Sequence, residues 1–127
     1  MEKIVRRLVK SHRAGAASAD ALFIGEGKPL GEDGDLSGIF KARVRTIDVG
    51  LQGVAGDVQV DRRYHGGPDR ALHQYPVENY ARLADAFPAL REAFVPGCLG
   101  ENVSSSGLCE QDVFVGDVVR LGTCLLQ

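Results

Sequence analysis

Residues 61–69 bring together side chains that are well suited to binding an anion. They read Asp-Arg-Arg-Tyr-His-Gly-Gly-Pro-Asp. Gly66 and Gly67 let the backbone turn tightly and bring its N–H groups close to a ligand, and Pro68 ends any regular strand. An imidazole such as that of His65, beside exposed backbone N–H groups, suits a phosphate. A polar surface turn is the alternative interpretation.

Charged residues within and before this stretch extend the candidate site. Asp57, Asp61 and Asp69 could accept hydrogen bonds from an amine-rich heterocycle or from an ordered arginine. Local turn chemistry explains these carboxylates equally well. Arg62 and Arg63 occupy adjacent strand-like positions, whose side chains point to opposite faces, so at most one of them faces the site.

A second polar, glycine-rich stretch, Pro-Gly-Cys-Leu-Gly-Glu-Asn, spans residues 96–102. Asn102 can bond a ligand or the backbone in several ways. Glu101 could clamp a heterocycle, or pair with Lys41 or an arginine. Lys41 itself follows a glycine-rich loop and is placed at the edge of the site, with an exposed surface lysine as the alternative. Two such loops in one short chain predict a binding site where they meet.

The three cysteines are Cys98, Cys109 and Cys124. Their odd number, without C-x-x-C spacing, argues against a disulfide framework or a zinc site and favours the reducing cytoplasm. Cys98 lies within the second stretch, and free cysteines commonly serve in packing.

Composition restricts the classes of function further. A chain of 127 residues predicts one domain. The net charge of −2 gives no general argument for a nucleic-acid or membrane partner. No apolar run approaches the ~20 residues of a membrane span, and hydrolase, P-loop and H-E-x-x-H motifs are absent from the sequence. We therefore expect a small-molecule ligand.

Residues 1–19 are predicted to form a basic N-terminal extension. Five cations against Glu2 give the first thirteen residues a charge of +4, which leaves −6 on the rest. Ile4, Val5, Leu8 and His12 could line one face of a short helix. A mis-assigned start and a basic presequence are both open interpretations.

Periodicity in the remaining sequence predicts a β-rich α+β domain. One main helix begins near Pro76, has apolar residues at three- and four-residue spacing, and ends or kinks at Pro88. Alternation across 42–49 shifts phase between Val44 and Ile47, which would suit a bulge. About seven short strands with regular turns predict a closed or nearly closed β-barrel. These strands are expected at 21–24, 42–49, 57–61, 71–75, 101–105, 112–115 and 117–126.

An ordered set of motifs in this chain resembles the MOSC domain, which is named for the C-terminal domain of molybdenum cofactor sulfurases. The similarity is greatest to stand-alone bacterial members and covers residues 20–127. The motifs include Ser-Gly-Ile-Phe-Lys (37–41), His-Gly-Gly-Pro-Asp-Arg-Ala (65–71), Gly-Glu-Asn-Val (100–103) and Val-Gly-Asp-Val-Val-Arg-Leu-Gly (115–122). The resemblance implies a β-rich barrel, in agreement with the strand count.

The resemblance also implies a function. Family members bind the molybdenum cofactor, a pterin with a dithiolene and a phosphate, and pyridoxal phosphate binding is a further expectation for relatives. Some members reduce N-hydroxylated bases with electrons from a reductase partner, and others work in cofactor sulfuration or as sulfur carriers. By resemblance, the residues that belong to or line the cofactor pocket are Lys41, His65, Gly66, Gly67, Asp69 and Asn102.

One departure from the family concerns the metal. The cysteine expected to bind molybdenum or sulfur lies in relatives within a Pro-Arg-x-Pro-Cys segment after the last strand, which predicts that the domain at 20–127 is C-terminally incomplete. Within this chain, Cys98 is the candidate metal ligand in place of that cysteine. A non-catalytic carrier of the cofactor or of sulfur, or a degenerate fragment, is the alternative. Such a fragment would expose a strand edge or groove that another chain, as in a homodimer, could cover.

Overall fold

The protein is described by a computed structural model that covers residues 17–127 and the backbone of 2–4 and 8–10. The strands are β1 (Glu2–Ile4), β2 (Leu8–Lys10), β3 (Ser18–Gly25), β4 (Lys28–Leu30), β5 (Asp35–Ser37), β6 (Lys41–Val44), β7 (Ile47–Gly50), β8 (Gly53–Val54), β9 (Gln74–Pro76), β10 (Val103–Ser106), β11 (Val119–Leu121) and β12 (Cys124–Leu126). The α-helix is α1 (Glu78–Ala86), and 3₁₀ helices span Pro88–Ala93 and Glu110–Asp112. The expected β-rich fold with one main helix is confirmed.

The central sheet has the strand order β6-β3-β10-β9. Strand β3 is antiparallel to both neighbours and places Leu22 opposite Val44 on one side and Val103 on the other. Leu22, Val103, Ile47 and Leu121 are almost fully buried and form the centre of the hydrophobic core. This sheet positions the site because a loop predicted from the sequence follows β3, and predicted loops precede β6 and β10.

The described residues form four separate sheets, and none of them closes on itself. The predicted barrel is therefore not confirmed. The phase shift between Val44 and Ile47 is not a bulge, because the chain leaves the central sheet after β6 and enters the β1-β7-β8 sheet at β7. A bulge occurs instead in β10, between Ser104 and Ser105. Strand number alone predicted β content but not which strands would share a sheet.

Several strand predictions also need correction. Residues 57–61 form no strand, and the strand expected at 112–115 is replaced by a 3₁₀ helix and a turn. The strand predicted across 117–126 is a hairpin that turns at Gly122, where φ is +61°. That turn breaks the alternation, so that Leu125 is exposed while Cys124 is buried.

The N-terminal helix prediction is wrong for the residues that are described. Strand β1 pairs with β7, and β2 pairs with β11. Val5 and His12, the other members of the predicted helical face, lie outside the described residues. The domain boundary at residue 19 stays a prediction.

Helix α1 packs Tyr80 and Ala84 inwards and leaves Phe87 54% exposed. It ends before Pro88, as predicted, with the Phe87 N–H bonded to the Leu83 carbonyl at 2.8 Å. Among the described residues, no helix is long and apolar enough to cross a membrane. The helix positions Tyr80 beneath the second predicted loop.

Candidate functional site

Lys41, Asp57 and Asn102, three of the predicted site residues, meet in one buried cluster. Nζ of Lys41 lies 2.6 Å from Oδ1 of Asp57, and their side chains are only 5% and 7% exposed. Nδ2 of Asn102 donates to Oδ2 of Asp57 at 2.9 Å. The cluster thus joins the start of β6, the loop after β8 and the residue that precedes β10.

Gly25, at the end of β3, completes this cluster through its backbone. Its N–H donates to Oδ1 of Asp57 at 2.5 Å. A Cβ atom at this position would lie 2.8 Å from Asp57 Oδ1 and 3.0 Å from Lys41 Nζ, closer than side chains normally approach. Glycine is therefore required here for close approach.

The cluster carries balanced charge. Burial raises the pKa of Asp57, but hydrogen bonds from Lys41, Asn102 and a backbone N–H outweigh it and hold the pKa below its usual value of 3.8. Asp57 is therefore ionised at neutral pH and neutralises Lys41. One of the three Lys41 donors is used in this pair, so Lys41 is not the isolated surface cation that the alternative interpretation describes.

Asn102 is 4% exposed and ties three segments together. Its Oδ1 accepts from the His73 N–H at 3.1 Å, and its Nδ2 also donates to the Phe23 carbonyl at 3.3 Å. Its backbone N–H bonds the His73 carbonyl at 2.8 Å, and its carbonyl accepts from the Phe23 N–H at 2.8 Å. The side-chain amide is thus used within the protein, and contact with a ligand stays a prediction.

Glu101 does not pair with Lys41 or with an arginine, so this sequence expectation is wrong. It is fully buried, and its Oε1 accepts from the Gly97 N–H at 2.7 Å, the Ser104 hydroxyl at 2.8 Å and the Tyr80 hydroxyl. Burial raises the pKa of Glu101, but these bonds, that from Tyr80 first, bring it below its usual value. Oε2 of Glu101 is buried without a hydrogen-bond partner among the described residues.

Tyr80 and Ser104 were not predicted as site residues. The helical spacing assigns Tyr80 to the core, and it is 6% exposed. Burial first, and then the bond to Glu101, raises the pKa of Tyr80, so the shared proton stays on the tyrosine. Glu101 and Asn102 thus supply one buried carboxylate and one buried amide, each hydrogen-bonded to a different set of partners.

Cys98, the candidate metal ligand, is half-buried and free. No group of three or more His, Cys, Asp or Glu side chains among the described residues is arranged to hold a metal ion. A metal role for Cys98 therefore stays a prediction.

The loop at 61–70 has an internal hydrogen-bond network. Gly66 and Gly67 have φ of +81° and +78°, as expected of a tight turn. Their N–H groups, however, donate to the carbonyls of Arg70 and Gln52, each at 3.1 Å. The proposed cradle of free backbone N–H groups is therefore wrong, because these donors are used within the protein.

Side chains of this loop remain accessible. His65, Arg62 and Asp69 are exposed. Asp61 instead forms an exposed ion pair with Arg63, whose Nη2 lies 2.8 Å from Oδ2. Of the two adjacent arginines, the one at position 62 is thus accessible for an anion beside the imidazole.

Gln59, which sequence reasoning missed, supports this loop. A Cβ atom on Gly66 would lie 2.0 Å from Oε1 of Gln59, so the glutamine side chain packs directly on the glycine. Its Nε2 also donates to the Gln52 carbonyl at 3.3 Å. Because Gln59 is two residues from Asp57, the loop and the buried cluster share one supporting segment.

A groove of about 1310 Å³ lies beside the loop. Of the predicted site residues, only Asp69 lines it. Most of the described residues that line it belong to 113–127, and the majority of these are apolar. The predicted site residues therefore do not share one cavity. They lie in the buried Lys41–Asp57–Asn102 cluster, at buried Glu101, in the exposed 61–70 loop and, for Asp69, also at the edge of the groove.

Comparison with known proteins identifies the family. Residues 61–127 match the family model described as the MOSC domain. Over 75 residues the chain is 48% identical to Protein YiiM of Escherichia coli, covering 59% of this chain and 34% of YiiM. Over 74 residues it is 32% identical to a Gibberella moniliformis protein named a reductase, covering 58% of this chain and 13% of that protein.

Solved structures show the same fold. A crystal structure of a hypothetical protein superposes with a TM-score of 0.65 at 31% identity, covering 96% of this chain and 45% of that one. The crystal structure of E. coli YiiM gives a TM-score of 0.53 at 32% identity, covering 82% and 43%. The chain thus spans less than half the length of these relatives.

Proposed function

Because the chain belongs to the MOSC domain family, we propose that it binds the molybdenum cofactor beside the 61–70 loop. In this proposal the exposed loop makes the ligand contacts, and the Lys41–Asp57–Asn102 cluster holds the surrounding backbone in place. The sequence led us to expect that all these residues contact the cofactor. The proposal instead assigns contact to the loop residues and support of the backbone to the cluster residues.

The observation that carries the proposal is the buried ion pair of Lys41 and Asp57. Removing two charges from water costs several kcal/mol per ion, which their attraction does not reliably offset. Two apolar side chains in these positions would stabilise the fold equally well. An ion pair buried at the junction of three site segments therefore favours a functional role over a purely structural one. Membership of the MOSC domain family supports this interpretation.

The residues present fit the proposed group at the loop. Arg62 places a guanidinium and His65 an imidazole at the surface, and both side chains can donate hydrogen bonds to a phosphate. A Cβ atom on Gly67 would meet nothing within 4 Å, so there is open space directly beside the turn. Asp69 adds a carboxylate acceptor for the amine donors of a pterin. When bound, the cofactor would supply a redox-active metal.

We further propose that the natural reaction is reduction of N-hydroxylated bases with a reductase partner as electron donor. Two electrons and two protons convert the N–OH group to N–H and release water, so the partner must supply the electrons. Similarity to a protein named a reductase supports this class of reaction.

A second candidate is a carrier that holds the cofactor or its sulfur without reducing a substrate. It is favoured by Cys98, a half-buried cysteine without a disulfide, which lies in the same loop as Glu101 and Asn102. The thiolate of a cysteine binds metals and attacks sulfur donors. Recovery of N-hydroxy reduction by this chain with cofactor and a reductase would exclude the carrier candidate.

Cofactor content tests the binding proposal directly. The chain is expressed in cells that make the cofactor, and the purified protein is assayed for molybdenum and for the fluorescent oxidation product of the pterin. His65→Ala should lose about tenfold or more of its retained cofactor if a phosphate contact is removed, with an unchanged thermal midpoint. His73→Ala, which removes an exposed imidazole outside the loop, is the matched control.

Two outcomes contradict the proposal. If the wild-type chain carries neither molybdenum nor pterin, it does not bind the cofactor. If His65→Ala and His73→Ala retain equal amounts, the 61–70 loop is not the binding surface.

A further inference from the structure

Tyr64 presents an aromatic ring at the surface of the 61–70 loop. Its side chain is 60% exposed. A single exposed ring is common on protein surfaces, so the surroundings of this ring decide its meaning. Tyr64 precedes His65, the residue proposed to contact the cofactor, and the loop holds both its ring and its backbone in place.

Arg63 covers one face of the Tyr64 ring. Its Cζ lies over the ring, 5.5 Å from the centroid, within the ~6 Å range of cation–π contacts. The guanidinium is oriented by Asp61, because its Nε donates to Oδ1 at 3.0 Å and its Nη2 donates to Oδ2 at 2.8 Å. Two parallel bonds to one carboxylate fix the plane of an arginine. A ligand can therefore reach the exposed ring from the opposite face.

The backbone that carries the ring is also restrained. The Tyr64 carbonyl accepts from Nη1 of Arg70 at 2.8 Å. The N–H groups of Tyr64 and His65 both donate to the Asp61 carbonyl, at 3.2 Å and 3.0 Å. A tyrosine side chain has only two torsion angles to order, so a ring on a fixed backbone offers contact area at a low entropic cost.

We propose that Tyr64, backed by Arg63, is a stacking platform for a planar nitrogen heterocycle. Such rings have a π face that stacks on an aromatic side chain, and the exposed side chains of Arg62 and His65 supply donors for their polar edges. The inference rests on the proposed function and assigns the platform to the base ring of the N-hydroxylated substrate. The pterin ring of the cofactor has the same chemistry, so the experiment distinguishes the two.

Tyrosine ring resonances test the contact directly. The chain has three tyrosines and no tryptophan, so protein with ¹³C-labelled tyrosine rings gives few signals, and the signal that Tyr64→Phe removes is that of Tyr64. The purified chain is titrated with N-hydroxyadenine, with pterin and with acetamidoxime, which carries an N–OH group without a ring. N-hydroxyadenine should shift the Tyr64 ring protons and leave those of Tyr75 and Tyr80 in place, and acetamidoxime should shift none.

Substitutions of the ring measure its contribution. Tyr64→Leu should weaken binding of N-hydroxyadenine about fivefold or more, whereas Tyr64→Phe keeps the ring and should keep the affinity. Phe87→Leu is the matched control, because Phe87 is 54% exposed and lies outside the loop. An unchanged far-UV circular dichroism spectrum verifies that each variant folds.

The cofactor content of Tyr64→Leu identifies the ring that occupies the platform. Weaker binding of N-hydroxyadenine at wild-type cofactor content assigns it to the substrate. In that case the KM for N-hydroxyadenine should rise in the reconstituted reaction, and the KM for acetamidoxime should not. A loss of cofactor comparable with that of His65→Ala, together with a pterin-induced shift at Tyr64, assigns the platform to the pterin.

Three results overturn the proposal. The first is a Tyr64 signal that neither N-hydroxyadenine nor pterin shifts. The second is a Tyr64→Leu variant with the affinity and the cofactor content of the wild type. The third is an equal loss in Tyr64→Phe and Tyr64→Leu, which would assign the effect to the hydroxyl group. A wild-type chain that carries no cofactor would contradict the proposed function alone, because the titration does not require the cofactor.

Discussion

Substitution of Asp57 by asparagine tests whether the buried cluster positions the site. The change keeps the size of the side chain and removes its charge, which leaves Lys41 buried without its counter-ion. Both side chains are at least 93% buried. Breaking a buried pair by removing one partner costs about 3–5 kcal/mol, which is a large share of the ~5–15 kcal/mol stability of a typical domain.

The assay is equilibrium unfolding in urea, followed by circular dichroism, for the wild type and three variants. Asp57→Asn should lower the midpoint without changing the slope. Asp61→Asn, the matched control, breaks the exposed pair with Arg63 and should have little measurable effect. Lys41→Met combined with Asp57→Leu should recover most of the loss, because it removes both buried charges.

The pH dependence follows from the same pair. The folded-state pKa of Asp57 is lowered, so the native state binds its proton less readily than the unfolded chain. The contribution of Asp57 is therefore fully present above the unfolded pKa of about 3.9 and is lost as pH falls through the lower folded value. The difference in stability between wild type and Asp57→Asn should shrink below that pH.

Two results would refute this reasoning. If Asp57→Asn is as stable as the wild type at neutral pH, water or another group compensates the charge of Lys41. The ion pair would then not be the main restraint on these loops. Equal losses for Asp57→Asn and Asp61→Asn would show that the two carboxylates are not distinguished by burial.

Two further predictions concern close contacts. Gly25→Ala should destabilise the protein by about 1–3 kcal/mol through overpacking, whereas Gly50→Ala, whose Cβ would have its nearest contact at 3.9 Å, should not; equal urea midpoints for the two would contradict this. Tyr80→Phe should cost about 1–3 kcal/mol and raise the pKa of Glu101, moving the acid limb of stability to higher pH. Tyr64→Phe, at an exposed tyrosine, should change neither, and an unmoved acid limb in Tyr80→Phe would show that its hydroxyl does not stabilise the carboxylate.

Local patterns in the sequence predicted the elements that depend on local contacts. A short apolar run at 21–24 identified part of β3. Alternation identified the start of β6, and helical spacing identified the helix that ends before Pro88, because a period of two or of 3.6 residues reports directly on burial. Alternation at 117–126 wrongly predicted a single strand, because Gly122 turns the chain there. A glycine in an alternating run is compatible with either a strand or a turn, so only the pairing of β11 with β12 distinguishes them.

The pairing of charges could not be predicted in this way. Lys41 and Asp57 were both named as site residues, but Glu101, and not Asp57, was named as a possible partner of the lysine. Sixteen residues separate Lys41 from Asp57, and forty-five separate Asp57 from Asn102. Sequence spacing carries no information about such contacts until the strands are assigned to sheets, and the assignment to one barrel was not confirmed.

The paired state of Lys41 changes how anion binding must be explained in this domain. Asp57 cancels the lysine charge, and the Gly66 and Gly67 N–H groups are bonded within the protein, so neither supplies the charge that a phosphate requires. The accessible side chains beside that turn that can donate to an anion are those of His65 and Arg62. A turn held rigidly by Gln59, over a cluster that is costly to rearrange, would present these side chains with little loss of conformational entropy on binding. The buried charges of Lys41 and Asp57 would thus favour affinity by fixing the geometry of the loop. The exposed side chains of His65 and Arg62 would favour it by direct contact with the ligand.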